Sequence, residues 1–187
     1  MDGLGSREAP EGQVLAPTAH CSKHRKVQAG ATLSYTDNGD GTITDNNTGL
    51  MWEKKTGVVR VPLGSDVNVA DLHDVMNRYR WSWDGSQETI WDWLDDVNAE
   101  GGTGFAGHND WRIPNRKELE SIVDYSQPYP EPKISPAFGP TLSNTYTTST
   151  TETSLLFNMW VIDFTLVNVW AGHKYSREYV RAVRGGL

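Results

Sequence analysis

The sequence has a single cysteine, Cys21, among 187 residues. No disulfide framework can form within the chain, so cysteine usage neither supports nor excludes an extracellular setting. Excess positive charge is missing too. Seventeen Lys and Arg stand against 24 Asp and Glu, a net charge of −7. That argues against a nucleic-acid partner, because phosphate binding needs clustered basic residues. The basic run Lys23-His24-Arg25-Lys26 reads as a solvated loop. No apolar run approaches the roughly 18 residues of a membrane helix, and the N-terminus lacks the apolar stretch of a signal peptide. No membrane span and no leader are expected. The localisation stays open.

Catalytic signatures are also scarce. There is no Gly-rich phosphate loop and no Gly-x-Ser-x-Gly elbow. The five histidines, His20, His24, His73, His108 and His173, are scattered. Cys21 sits near His20 and His24, but a tetrahedral metal site needs four ligands and no second cluster accompanies them. Asp37, Asp40 and Asp45 crowd one short stretch. Counted as a calcium loop from Asp37, positions three and five are Gly39 and Gly41, so the ligand pattern fails. No metal or cofactor is expected, and no enzymatic activity.

What the chain does hold is aromatic residues: eight Trp, seven Tyr and four Phe. Each buries a large area, so a core is affordable at modest apolar content. Residues 1–32 are rich in Gly, Pro, Ala and charge without a period, and read as an extended or partly ordered arm. Residues 33–187 read as one domain. Tyr35-Thr36-Asp37 and Thr42-Ile43-Thr44 flank Asn38-Gly39-Asp40-Gly41, a hairpin signature, and Leu50–Glu53 forms a third strand. Residues 56–85 lack a period and look like an insertion. Ile90, Leu94 and Val97 recur at helical spacing, with Trp91 and Trp93 widening the apolar face, Ser86 as cap and Gly101-Gly102 as terminator. A second helix opens at Asn115, with Glu118 as capping-box partner and Leu119, Ile122 and Val123 inward. Residues 128–141 hold five of nine prolines and read as a loop. The tail reads as strands at 144–151, 160–164, 167–170 and 179–184. Strands at both ends around central helices predict an α+β fold in which the first and last strands pair.

Three stretches carry a resemblance. They are Asp37 to Trp52 (Asp-Asn-Gly-Asp-Gly-Thr-Ile-Thr-Asp-Asn-Asn-Thr-Gly-Leu-Met-Trp), Asp110-Trp111-Arg112-Ile113-Pro114-Asn115-Arg116-Lys117-Glu118-Leu119, and Tyr179-Val180-Arg181-Ala182-Val183-Arg184-Gly185-Gly186. Together they resemble the bacterial DUF1566 family, which is similar to the C-terminal domain of the Legionella collagen-like adhesin, over about Tyr35 to Leu187. The resemblance implies a C-type-lectin-like fold: two helices on a mixed, mainly antiparallel sheet, with N- and C-terminal strands adjoining. It also implies binding rather than catalysis. A related branch, the formylglycine-generating enzymes, uses cysteine chemistry, and the lone Cys21 lies outside the matched region.

Departures from the family pattern gather in the tail. Thr147 replaces a usual Trp, Leu155-Leu156-Phe157 stands where polar loop residues are usual, and Thr165-Leu166-Val167 replaces a polar turn. A scaffold that keeps its pattern around altered tips resembles the variable proteins of diversity-generating retroelements, with 144–184 as the variable region. The alternative is a non-diversified carbohydrate-binding adhesin, and Glu131-Pro132-Lys133 is similar to a calcium-lectin tripeptide. The expected ligand face comprises Thr147, Thr153, Ser154, Leu155, Phe157, Asn158, Thr165, Leu166, Val167, Trp170, Gly172, His173, Tyr175 and Ser176, gathered on one shallow surface. The expected partner is a protein on another cell or virus, or a glycan. Trp52, Trp111, Trp160 and Phe164 are assigned to the core, and Arg112 to a structural polar network.

Overall fold

The structure, a computed structural model, describes residues 32–60, 70–82 and 88–185. The arm expected over 1–32, with Cys21, His20 and His24, lies outside the described residues up to residue 31.

The first hairpin forms where the turn chemistry places it. Strands β1 (Tyr35–Asp37) and β2 (Thr42–Asp45) pair antiparallel. Between them Gly39 and Gly41 take positive φ, the region that glycine enters without steric cost. Asp37 and Asp40 spend their carboxylates on the turn, accepting from the Gly39 and Thr42 amides. Strand β3 (Met51–Glu53) pairs β2. Strand β4 (Arg78–Arg80) follows within the stretch read as an insertion. The described part of that stretch belongs to the core, because Val75, Met76 and Tyr79 are buried.

Helix α1 (Ile90–Ala99) buries Ile90, Trp93, Leu94 and Val97. Its cap is Thr89, in a capping box with Asp92; Ser86, the expected cap, lies outside the described residues. Trp91, expected on the buried face, is exposed, since it falls one step round the helix from Ile90. Helix α2 (Arg116–Ser121) starts at Asn115, boxed with Glu118 as expected. Arg112 grips Glu118 with both guanidinium nitrogens at 2.7 and 2.8 Å and donates to the Gly185 carbonyl at 2.9 Å. It therefore ties the cap of α2 to the end of the chain.

The tail supplies β5 (Thr145–Thr151), β6 (Asn158–Asp163), β7 (Asn168–His173), β8 (Arg177–Tyr179) and β9 (Val183–Arg184). Two sheets result, ordered β1-β2-β3-β9 and β4-β8-β5-β6-β7. The protein is thus α+β, with antiparallel pairing except between β5 and β8. The last strand pairs with β3 rather than with the first strand. The strand expected over 179–184 is two strands, because the chain leaves one sheet at Tyr179 and joins the other at Val183. Trp52, Trp111 and Phe164 are buried as assigned. Trp160 is only half-buried, since Met159 and Val161 take the inward positions; its ring lies under the Arg116 guanidinium at 4.4 Å.

The crossing between sheets is pinned by buried charge. Glu53, fully buried on β3, faces Lys55 Nζ at 2.6 Å and His73 Nδ1 at 2.7 Å, and accepts from the Ala182 amide at 2.8 Å. Arg181 donates to the carbonyls of Glu53 and Phe138 and to the Thr141 hydroxyl. Gly139, at positive φ, leaves 2.6 Å between an added Cβ and the Lys55 carbonyl oxygen, so no side chain fits there. Burial would push the Glu53 carboxyl up, but Lys55 and His73 outweigh it and hold it at about 2. His73 has a carboxylate at each ring nitrogen, Glu53 at Nδ1 and Glu100 at Nε2 (3.2 Å). Only the imidazolium donates to both. Burial pulls its pKa down, yet these carboxylates raise it above the ordinary 6.5.

Removing the hub should be costly. Glu53→Ala strands Lys55 and the Ala182 amide without their acceptor, and should cost about 3–5 kcal/mol in urea unfolding; a loss below about 1 kcal/mol would show that the network is dispensable. The pH profile is also set. Glu53 contributes stability fully above its ordinary 4.5, lost as pH falls toward its folded value of about 2. His73 contributes stability fully below its ordinary 6.5, lost as pH rises through its raised folded value. Glu178, half-buried on β8, is pushed by burial up to about 7, so stability falls as pH climbs from 4.5 through 7. Urea midpoints measured against pH should therefore peak near about pH 5. His73→Gln should flatten the alkaline side above neutrality, and Glu178→Gln the part below it.

Candidate functional site

The hairpin β5–β6 turns through residues whose shape is held by polar groups. The Glu152 carboxylate accepts from the Ser154 amide and hydroxyl at 2.8 and 2.6 Å. The Glu152 amide reaches the Asn158 carbonyl at 3.0 Å, and the Asn158 amide the Leu155 carbonyl at 2.8 Å. With the turn closed this way, the side chains of Leu155, Leu156 and Phe157 have no part in it, and they are 46, 71 and 55% exposed.

The turn between β7 and β8 docks beside it. The Lys174 amide donates to the Phe157 carbonyl at 2.9 Å, and its own carbonyl accepts from Trp81 at 3.0 Å and Ser82 at 3.2 Å. The Tyr175 amide meets His173 Nδ1 at 3.2 Å, and the Arg80 guanidinium donates to the Tyr175 carbonyl. Phe157, His173 and Tyr175 form a chain of rings with centroids 5.5 and 5.0 Å apart. Lys174 Nζ lies 4.0 Å over the Trp81 ring and donates to the Thr151 hydroxyl. Trp81 in turn meets Trp91 edge-on at 5.0 Å. Two turns and the end of β4 thus lock into one aromatic rim.

The structure divides the expected ligand face. Thr153, Ser154, Leu155, Phe157, Asn158, His173, Tyr175 and Ser176 gather at the rim. Thr147 is 2% exposed, packed inside the sheet opposite Val161, so it offers nothing to a ligand. Gly172 is buried as well, its missing side chain taken up by Val161 at 3.1 Å. Thr165, Leu166 and Val167 sit at the far end of the β6–β7 hairpin, which runs from Asn158↔His173 to Asp163↔Asn168, roughly 17 Å at 3.3 Å per residue. Trp170 is exposed, but odd and even positions on β7 alternate between faces, so it points away from His173. The single shallow surface is therefore corrected to a rim, a separate far tip, Trp170 on the opposite face and two buried positions, Thr147 and Gly172.

Leu156, Lys174, Trp81 and Trp91 complete the rim, although none of them is among the residues expected to touch the ligand. Leu156 was legible as part of an apolar run in a turn. Trp81 was hidden in the stretch that resisted periodic reading. Elsewhere, a groove of about 430 Å³ is lined by Gln127, Glu131, Pro132, Ile134, Pro136 and Pro140. It is the place of the Glu131-Pro132-Lys133 tripeptide, whose lysine amine donates to the Gln127 carbonyl. Among the described residues no group of three His, Cys, Asp or Glu could hold a metal ion, and no helix is long and apolar enough to cross a membrane.

The far tip carries a backbone cost. Val167 takes φ 59, a left-handed conformation that is unfavourable for a β-branched residue. Among known families, the one described as the Lcl C-terminal domain matches residues 41–184. No curated protein matches the chain.

Tip and framework should respond oppositely to substitution. Leu156→Ser and Leu166→Ser should change stability by no more than about 0.5 kcal/mol. Val167→Asn should leave stability within about 1 kcal/mol, because relief of backbone strain is offset by loss of the Val167 side chain from the core it packs against. Thr147→Trp should destabilise by about 1–3 kcal/mol through overpacking, and a neutral Thr147→Trp would show room where the structure has none.

Proposed function

Because the chain belongs to the Lcl C-terminal domain family, we propose that it is an adhesin-type ligand-binding module, not an enzyme, whose ligand contacts the aromatic rim. The observation that carries this reading is the contiguous exposure of Leu155, Leu156, Phe157 and Tyr175 beside His173. Monomeric proteins seldom expose apolar side chains in contact with one another without a partner to cover them. Aromatic residues fixed by a rigid backbone are the usual anchors of such contacts. The scaffold is of C-type-lectin-like kind in this reading, a proposal supported by two helices, a last strand joined to the N-terminal hairpin, and function carried on loops.

A second reading is favoured by one feature of the tips. Polar residues close the β5–β6 turn while the apolar tip side chains contribute nothing to it, and at the opposite tip Leu166 is exposed while Val167, at an unfavourable φ, packs partly on the core. Tips indifferent to folding are what a diversified display surface requires, so the chain is a variable protein of a diversity-generating retroelement in this reading. A reverse-transcriptase gene beside an imperfect repeat of the coding sequence for 144–184 is the expected neighbourhood, and a neighbourhood with neither would sink it.

The rim itself is tested with the full chain, fluorescently labelled and multimerised, on a panel of bacterial, amoebal and epithelial cells read by flow cytometry. Binding to at least one cell type is expected. It should fall more than about 30-fold in the Leu156→Ser, Phe157→Ser, Tyr175→Ser triple variant. Equal binding by that variant, or no binding to any cell, overturns the proposal.

A further inference from the structure

The rim's geometry separates two kinds of ligand. A sugar ring binds an aromatic residue by laying its C–H face flat on an open ring plane, while fixed polar groups take its hydroxyls. The rim offers little of either. Phe157 and His173 are inclined at 38° and His173 and Tyr175 at 48°, with centroids 5.0–5.5 Å apart, so their planes are partly turned on one another. One face of Trp81 is covered by Lys174 and an edge contact is made by Trp91. Three of its polar groups are engaged inward: His173 Nδ1 by the Tyr175 amide, the Glu152 carboxylate by Ser154, and the Thr151 hydroxyl by Lys174.

What the rim does offer suits a protein. Two leucines, a phenylalanine and a tyrosine lie beside one another on a backbone locked by hydrogen bonds, the composition of an interface core. Charge adds a direction. Lys174 is half-buried, held in place by Thr151 and Trp81, and has no carboxylate within ion-pair distance among the described residues. A fixed ammonium at the edge of an apolar patch, on a chain of net charge −7, selects a partner that brings an acid to that edge. We infer that the rim's ligand is a protein, one that covers Leu155, Leu156, Phe157 and Tyr175 with apolar side chains and sets a carboxylate against Lys174.

The inference rests on the rim being the binding face, and one experiment separates the two. The labelled full chain is applied to its target cells after mild periodate oxidation of surface glycans, or after proteinase K treatment. A protein ligand predicts binding that survives periodate and is lost after proteolysis. Lys174→Glu should weaken binding about tenfold, and less as salt is raised. Lys174→Met, which keeps the stem over Trp81, should lose the salt dependence, and its thermal midpoint checks that the rim still forms. Binding that depends on the rim yet survives proteolysis and is lost after periodate overturns the protein ligand and leaves the module intact. Binding indifferent to Lys174→Glu at low salt overturns the acidic contact. Binding indifferent to the triple rim variant overturns both.

Discussion

The fold turns on one carboxylate. Glu53 lies fully buried where the two sheets meet, and its partners come from separate parts of the chain: Lys55 from beyond β3, His73 from the stretch before β4, and the Ala182 amide from the crossing between β8 and β9. An isolated buried carboxylate would be intolerable, so it exists only when all three donors arrive. That requirement fixes topology in a way that apolar contact does not. Hydrophobic side chains tolerate sliding, whereas a carboxylate with three directional partners accepts one register. Arg181 applies the same constraint from the other side, joining the Glu53 and Phe138 carbonyls and the Thr141 hydroxyl.

This arrangement explains why the rim can be careless of folding. β5, β6 and β7 emerge from a core anchored at Tyr146, Ile162 and Phe164, and their turns are closed by main-chain and Glu152 hydrogen bonds. The side chains of Leu156 and Phe157 meet none of this machinery. Turn closure and exposed apolar surface occupy different atoms, even on neighbouring residues: Asn158 closes the turn through its backbone, while Phe157 next to it presents its ring outward. Local polar closure lets a tip carry side chains that are poor turn formers, a liability in a turn that relied on them.

Much of the framework was legible in the sequence because it obeys local rules. The Asn-Gly-Asp-Gly turn, the Asn115–Glu118 box and the Gly101-Gly102 stop each act within a few residues, and each was placed. Trp160 and Trp91 were misjudged because both lie among apolar neighbours, where sequence alone does not say which of two faces turns inward. The 179–184 stretch read as one strand because a buried Arg181 looks, in sequence, like any polar residue on a wet face. The network it joins spans 128 positions from Glu53, and nothing local announces it. The residues expected on one face are divided for the same reason. Adjacency in sequence put Leu166 and Phe157 together, while antiparallel pairing sends consecutive turns to opposite ends of the sheet.

That last point bears on how such a surface can be built. β5, β6 and β7 pair in succession while β8 returns to the far side of β5, so the β5–β6 turn and the β7–β8 connection meet at one end while β6–β7 is sent away. A patch wider than one turn therefore needs two turns separated by a full hairpin, and something to hold them in register. Here the Lys174 amide on the Phe157 carbonyl does so directly, and β4 braces the pair through Trp81 and Arg80. The brace comes from the segment that looked least organised in the sequence. Trp81 also donates its indole N–H to the Thr148 carbonyl at 3.1 Å, inside β5, so the same residue fixes the strand beneath and the turn above. Leu155, Leu156 and Phe157 can vary without changing the shape of their turn, because the contacts that shape the rim are made by backbone, by Glu152, Trp81 and Arg80, and by the side chains of His173 and Lys174.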